Sequence, residues 1–324
     1  VRPTFRDLIA ANKRNSVILV VVFCLFTALV GAVLSYAITS YLLPTENPRA
    51  AVDHAIAVGS VVAMLSIVMS ILSYYGGDRL ILAVSGAQSI KHGDDPELYN
   101  VVEEVAIPAG IPRPAIYLID DRAPNAFATG RDPEHASIAV TMGLREKLTR
   151  AELQGVVAHE MSHIRNFDTR LMLLLAVLIG TIVILADLLW QALRWGWSGR
   201  SRQRSDRDIG NTAIIQLIVF VGAVVLAAIA PMLAKIIQLA VSRQREYLAD
   251  ASAVELTRYP DGLANALRKI DQGPHALATA NRGTAHLYIS NPIKIYRDRR
   301  ASIWLSHPPP TRERIARLEQ LTMA

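Results

Sequence analysis

The sequence predicts a mostly helical α+β protein with integral-membrane helices, and three observations lead there. Hydrophobic residues make up 52% of the 324, and the mean hydropathy of +0.28 is too high for an ordinary soluble enzyme. The apolar residues gather in four long runs rather than spreading through the chain. The polar remainder carries helix signals around a His pair at a spacing of four, with only short strand-like stretches between. The net charge of +6 comes from Lys and Arg beside the apolar runs, not among aromatics, so it marks membrane topology and argues against a nucleic-acid partner. The single Cys24 excludes an intrachain disulfide and a Cys-based zinc knuckle.

The first apolar run, Ser16 to Leu43, exceeds the roughly 20 residues that cross a hydrocarbon core. A signal peptide competes, but the run is too long and "SYLLPTENP" has no clear small-x-small cleavage site, so a retained anchor is expected. The second run, His54 to Tyr75, returns the chain after a short turn and completes a helical hairpin. Arg2, Arg6, Lys13 and Arg14 precede the first span, whereas the turn sets one Arg against Glu46 and Asp53. That asymmetry predicts a cytoplasmic N-terminus and a cytoplasmic segment from Gly76 to Thr169.

Within that segment Pro96 to Ala109 reads as a helix and "AIYLID" as a strand. Two more short strands, Asn125 to Thr129 and Ser137 to Thr141, flank the turn "GRDPEH". One of them is a candidate edge strand for an extended peptide, and the other reading is an ordinary supporting hairpin. Thr149 and Glu152 form a capping-box pattern that opens the next helix, with Leu153, Val156, Val157 and Ile164 as its apolar stripe.

That helix carries "HEMSH". Residues four apart share a helix face, so His159 and His163 can bind one ion while Glu160 flanks it. A capped amphipathic helix with two solvent-facing His is the competing reading. If the helix runs on unbroken, His163 stands about 12 Å before Leu171 at 1.5 Å per residue.

Two further apolar runs, Leu171 to Leu193 and Ile214 to Ala234, form a second candidate hairpin, with Asp187 and Lys235 as its charged interruptions and Pro231 as an expected kink. The loop between them holds Arg194, Arg200, Arg202, Arg204 and Arg207, which the positive-inside preference places badly if both runs span. Spanning is expected, and a tilted hairpin packed on the polar domain is the alternative. In either case both flanks lie on one side.

After this hairpin "SRQREYLADASAVE" sets Glu246 and Asp250 four apart on a predicted helix, and Asp261 to Asp271 reads as another. A catalytic zinc takes three protein ligands and an open position, so Glu246 is a candidate third ligand. Asp250, one turn on, is placed to accept the free N–H of a ligating His.

HEMSH and EYLAD, with membrane runs before and between them, resemble the HtpX-type membrane zinc metallopeptidases, relatives of the CAAX prenyl-protein endopeptidases. The resemblance extends to "APNAFATG" and to "SHPPPTRERI". It implies a gluzincin-like zinc protease core holding one Zn2+ per chain on His159, His163 and Glu246, with Glu160 as base for a zinc-activated water and Asp250 behind a ligand. The likeness takes in Arg314, which follows His307 after seven positions, one more than the family spacing; Asn125, Ala126, Phe127 and Ala128 are the candidate substrate-binding strand, and His307 is a candidate oxyanion donor, its competing reading a turn His before three prolines.

The implied protein is a multi-pass enzyme of the cell inner membrane, active on the cytoplasmic side in stress response and protein quality control. Its substrates are proteins, mainly misfolded membrane proteins, and its surroundings are the bilayer and quality-control partners. Its parts are an N-terminal hairpin over residues 1–80, protease segments over 81–169 and 241–324, and a second hairpin over 170–240. A CAAX-type processing protease is the nearest alternative. A scaffold in which zinc staples two helices lacks an evident fourth ligand, and a transporter resting on Asp187 and Lys235 lacks paired repeats.

Overall fold

The computed structural model describes residues 5–42, 48–175, 178, 222, 243–272, 287–289 and 310–322. Most of Leu171 to Leu193 and of Ile214 to Ala234, with Asp187, Pro231, Lys235, the Arg-rich loop and His307, lie outside these residues. The chain forms two compact units: Val1–Ser16 with Ser73–Ala176 and Gln238–Ala324, and Val17–Leu72 with Val177–Ile237.

In the second unit the described residues other than 178 and 222 belong to two long helices, α1 (Phe5–Leu42) and α2 (Pro48–Val84), which also run on into the first. Both contain stretches long and apolar enough to cross a membrane, Ile9–Val33 and Arg49–Val84, with mean hydropathy 2.8 and 2.5. Each helix outruns the apolar run predicted for it, because hydropathy finds the spanning part and not the polar turns beyond it. Small residues let the pair approach: a Cβ on Gly31 would meet Val62 Cγ2 at 2.8 Å, and one on Gly59 would meet the Ala32 Cβ at 3.1 Å. A Thr27–Ser66 hydroxyl pair at 2.7 Å adds a polar clasp.

The first unit is a four-stranded sheet under helices. Its strands are β1 (Ala87–Ser89), β2 (Ala115–Ile119), β3 (Ala126–Gly130) and β4 (Ala136–Thr141), in the order β1-β2-β4-β3. β2 runs parallel to β4, and the two outer pairings are antiparallel. The predicted hairpin is therefore β3–β4, and β3 is an edge strand of the sheet.

Helix α3 (Pro96–Ala109) begins where the Asp95 carboxylate accepts the Leu98 N–H and ends at Gly110, whose φ of +66° suits a residue without a Cβ. A short helix α4 (Met142–Lys147) follows β4, capped by Thr141. Then comes α5 (Arg150–Arg165), opened by the capping box of Thr149 and Glu152. Helices α6 (Arg243–Thr257), α7 (Pro260–Asp271) and α8 (Thr311–Thr322) follow later in the chain.

Leu153, Val156, Val157 and Ile164 of α5 are fully buried, packed with Leu98 and Val101 of α3, Ile138 of β4 and Leu263 and Leu267 of α7. At Gly155 the α7 backbone approaches closely: a Cβ there would lie 2.6 Å from the Leu263 backbone N. The result is that α5 is enclosed, so its His and Glu residues sit in a protein interior. Polar groups there must be paired to offset their lost hydration.

The helix does not continue toward Leu171. Asn166 caps α5, Phe167 takes φ +60°, uncommon for an aromatic residue, and helix resumes over residues 168–175. The unbroken helix assumed for the 12 Å spacing is thus corrected by this turn, which folds Asp168 back toward His163.

Candidate metal centre

His159, Glu160 and His163 come from α5, Glu246 and Asp250 from α6, Arg314 from α8 and Asp168 from the turn after α5. All are buried. His159 Nε2 lies 3.2 Å from His163 Nε2 and 3.5 Å from Glu246 Oε2, and His163 Nε2 lies 3.7 Å from Glu246 Oε1. Tetrahedral bonds of about 2.0–2.2 Å put ligand atoms about 3.3–3.6 Å apart, so the two Nε2 atoms and the Glu246 carboxylate, which turns a different oxygen to each His, stand at separations close to those a zinc ion needs.

The other ring nitrogens have acceptors. His159 Nδ1 lies 3.0 Å from Asp250 Oδ1, and His163 Nδ1 lies 3.0 Å from Asp168 Oδ2. Each carboxylate is placed to accept an Nδ1–H, and a neutral imidazole held this way presents its Nε2 lone pair to the centre, the tautomer a metal needs. Arg314 grips Asp250 with two bonds, Nε to Oδ2 at 2.9 Å and Nη2 to Oδ1 at 2.6 Å, while Nη1 lies 3.4 Å from Glu246 Oε2. Arg245 stands 3.7 Å from Asp168 Oδ1.

The electrostatics favour positive charge at the centre. Glu160, Asp168, Glu246 and Asp250 gather four carboxyl groups around the two imidazoles, with the guanidinium groups of Arg245 and Arg314 beside them. Burial would lower the His159 pKa, and Arg314 adds to that, but the bonds to Asp250 and Glu246 outweigh both and raise it to about 9. Burial also opposes the ionised Glu246, yet His159 and Arg314 bring its pKa to about 2. Asp250 is likewise held well below the ordinary carboxylate range, Arg314 overcoming its burial. The site draws positive charge strongly, and a dication meets that demand.

Glu160 behaves differently. Burial pushes its carboxyl above the ordinary value, against the pull of His159, His163 and a hydrogen bond from the Ala128 backbone. A carboxylate with a raised pKa next to a metal site is suited to accepting a proton. The cavity in front of it is lined by Ala128, Thr169, Met172 and Leu287–Ile289 together with the two His and Glu246.

The structure thus brings together His159, Glu160, His163, Glu246, Asp250, Ala128 and Arg314. The extra position before Arg314 does not displace it. Asn125, Ala126 and Phe127 do not line the cavity: Asn125 takes part in the β3–β4 pairing through Thr141, the Ala126 carbonyl accepts the Ile289 N–H at 3.0 Å, and Phe127 is packed against Tyr288 in an apolar cluster. Asp168 escaped the sequence reading. Its signal was the Asn at the end of a helix carrying a His pair, a stop that turns the next carboxylate back.

A sequence model of peptidase family M48 matches residues 93–322, which hold every group named above. The chain belongs to peptidase family M48. It is 42% identical over 319 residues to the "Protease HtpX homolog" of Dictyoglomus thermophilum, covering 98% of this chain and 95% of that one. It is 40% identical over 313 residues to the protein of that name from Lactobacillus acidophilus, covering 97% and 98%. A crystal structure of S. mikatae Ste24p superposes with a TM-score of 0.47 at 18% identity, over 89% of this chain and 61% of that one. As an M48 peptidase the chain is a metalloprotease acting on proteins. Its two long apolar helices and its likeness to the HtpX homologues over nearly the whole chain identify it as a membrane protein.

Proposed function

We propose that this M48 peptidase is a zinc endopeptidase of the cell inner membrane that hydrolyses cytoplasmic segments of membrane proteins, chiefly misfolded ones. The observation that carries the reading is the His159–His163–Glu246 face, with both Nδ1 atoms turned to carboxylates. Zinc held by two imidazoles and a carboxylate supplies Lewis acidity to a water and to the scissile carbonyl. Glu160 takes the proton of the attacking water and passes it to the leaving amine. Asp250 and Asp168 hold the imidazole tautomers, and Arg314 holds Asp250. His307 remains the candidate for a further donor to the oxyanion.

Substrate backbone is expected to run along the edge strand β3, where Ala128 reaches both the strand and Glu160. Recognition through backbone suits a protease that must take many sequences. The basic residues before the first span support a cytoplasmic N-terminus and site, in a chain read as hairpins at residues 1–80 and 170–240 with protease segments between and after them. Membrane quality-control factors are its expected partners.

Detergent-purified protein assayed on unfolded casein with zinc tests the chemistry. Glu160→Gln should keep the metal and lose cleavage by about 10²-fold or more. Equal cleavage by both proteins removes Glu160 from the mechanism. Labelling of a cysteine placed at Ser201 from outside the cell decides whether the Arg-rich loop is exported.

A further inference from the structure

Asn12 belongs to α1, within a turn of where the apolar run begins, and yet it reaches the metal centre. It is buried at 4% exposure, and its Nδ2 donates to the Asn166 carbonyl at 2.9 Å and to Asp168 Oδ1 at 2.7 Å. The other oxygen of Asp168 is the one that faces His163 Nδ1 at 3.0 Å. A carboxylate can fix an imidazole tautomer only while it is itself fixed. Asn12 holds one oxygen of Asp168 and so aims the other.

The next residue grips the same turn. Lys13 Nζ lies 4.3 Å above the ring of Phe167, the residue whose φ of +60° creates the turn. Asn12 holds the residues on both sides of Phe167, and Lys13 holds Phe167 itself. A left-handed aromatic residue costs energy and persists only where its surroundings over-determine it. Here those surroundings come from a helix more than 150 positions away in sequence.

We propose that Asn12 is a positioning residue of the metal centre: α1 holds the Asn166–Asp168 turn so that Asp168 keeps His163 in its metal-binding tautomer. The N-terminal helix is then part of the hydrolytic machinery as well as an anchor. This rests on the reading of His159, His163 and Glu246 as metal ligands.

The test uses the full chain in detergent, with zinc affinity measured by competition against a chromophoric chelator and the visible spectrum of the cobalt(II)-loaded protein as a second readout. Asn12→Ala should weaken zinc binding by about tenfold, the lower end for loss of a ligand's hydrogen-bonded support. N12D, equal in size but setting a carboxylate against Asp168, should weaken it further. The double variant N12D/D168N reverses donor and acceptor and leaves an amide oxygen for His163, so it should bind zinc more tightly than N12D alone.

Ser16→Ala, which removes only a hydroxyl bonded to the Asn12 carbonyl within α1, should leave both readouts unchanged. Wild-type affinity and cobalt spectrum in both N12A and N12D overturn the proposal, as does an equal loss in S16A, which would mean a general loosening of α1. If D168N loses zinc while N12A and N12D do not, only the role of Asn12 falls. A wild-type chain that takes up no zinc overturns the ligand assignment and this proposal together.

Discussion

Arg314 is the side chain on which the buried charges converge. Its guanidinium is fully enclosed, bidentate to Asp250, close to Glu246 and hydrogen-bonded to the Ile289 carbonyl at 3.3 Å. Lysine keeps the charge but not the planar fork, so Arg314→Lys leaves one Asp250 oxygen unpaired. Arg314→Ala leaves a buried carboxylate without its partner, a loss on the order of 3–5 kcal/mol. Both variants should bind zinc more weakly than wild type, Ala more so, and thermal unfolding should drop in the same order. Wild-type zinc affinity in Arg314→Lys would show that charge alone suffices. The resemblance of "SHPPPTRERI" to a family element marks this residue, but its grip on the buried carboxylates is not legible, because its contact with His159 spans 155 positions. The same distance hides Asn12, whereas His159, Glu160 and His163 are legible because one helical turn brings them together.

At the scale of elements, the packing of α7 on α5 fixes the height of the HEMSH turn. Glycine weakens a helix interior by about 1 kcal/mol relative to alanine, so a helix with free surroundings would gain from Gly155→Ala. Here the new Cβ would meet the α7 backbone at 2.6 Å, and Gly262, whose own Cβ would meet the Ala151 carbonyl at 2.7 Å, closes the same crossing from the other side. Gly155→Ala should therefore lower the unfolding temperature, by about 1–3 kcal/mol of overpacking, and reduce cleavage by shifting α5. A stabilised, fully active Gly155→Ala would show that the crossing yields.

The elements themselves were legible where the sequence carries a boundary signal. α3 has its Asp95–Pro96 start and Gly110 stop, and α5 has its capping box. β1 is three residues long and α4 is six, too short for any period to register. α8 was missed because "PPPTRERI" reads first as a proline-rich turn, although Pro310 directly precedes the helix.

For the whole molecule, the metal and the fold are linked through protons. Without its cation the protein holds the His159 proton up to a pKa of about 9, against 6.5 for an ordinary histidine. A raised folded-state pKa gives stability that is complete below pH 6.5 and is lost as the pH rises through about 9. The metal-loaded protein has no proton on that ligand and does not lose stability this way. The gap in unfolding temperature between zinc-loaded and chelated protein should therefore widen between pH 6.5 and 9. Thermal melts in detergent across that range, with and without a chelator, check it; a gap that narrows would reverse the sign.

The link between metal and stability also bears on how the cell keeps such an enzyme safe. Without the cation, the buried carboxylates are answered by a proton on His159, and that proton is lost as the pH rises. Cleavage and durability then arrive together with the same divalent ion. Under metal starvation the membrane would hold fewer of these chains, cleared as unstable protein, rather than a reserve of intact but idle ones.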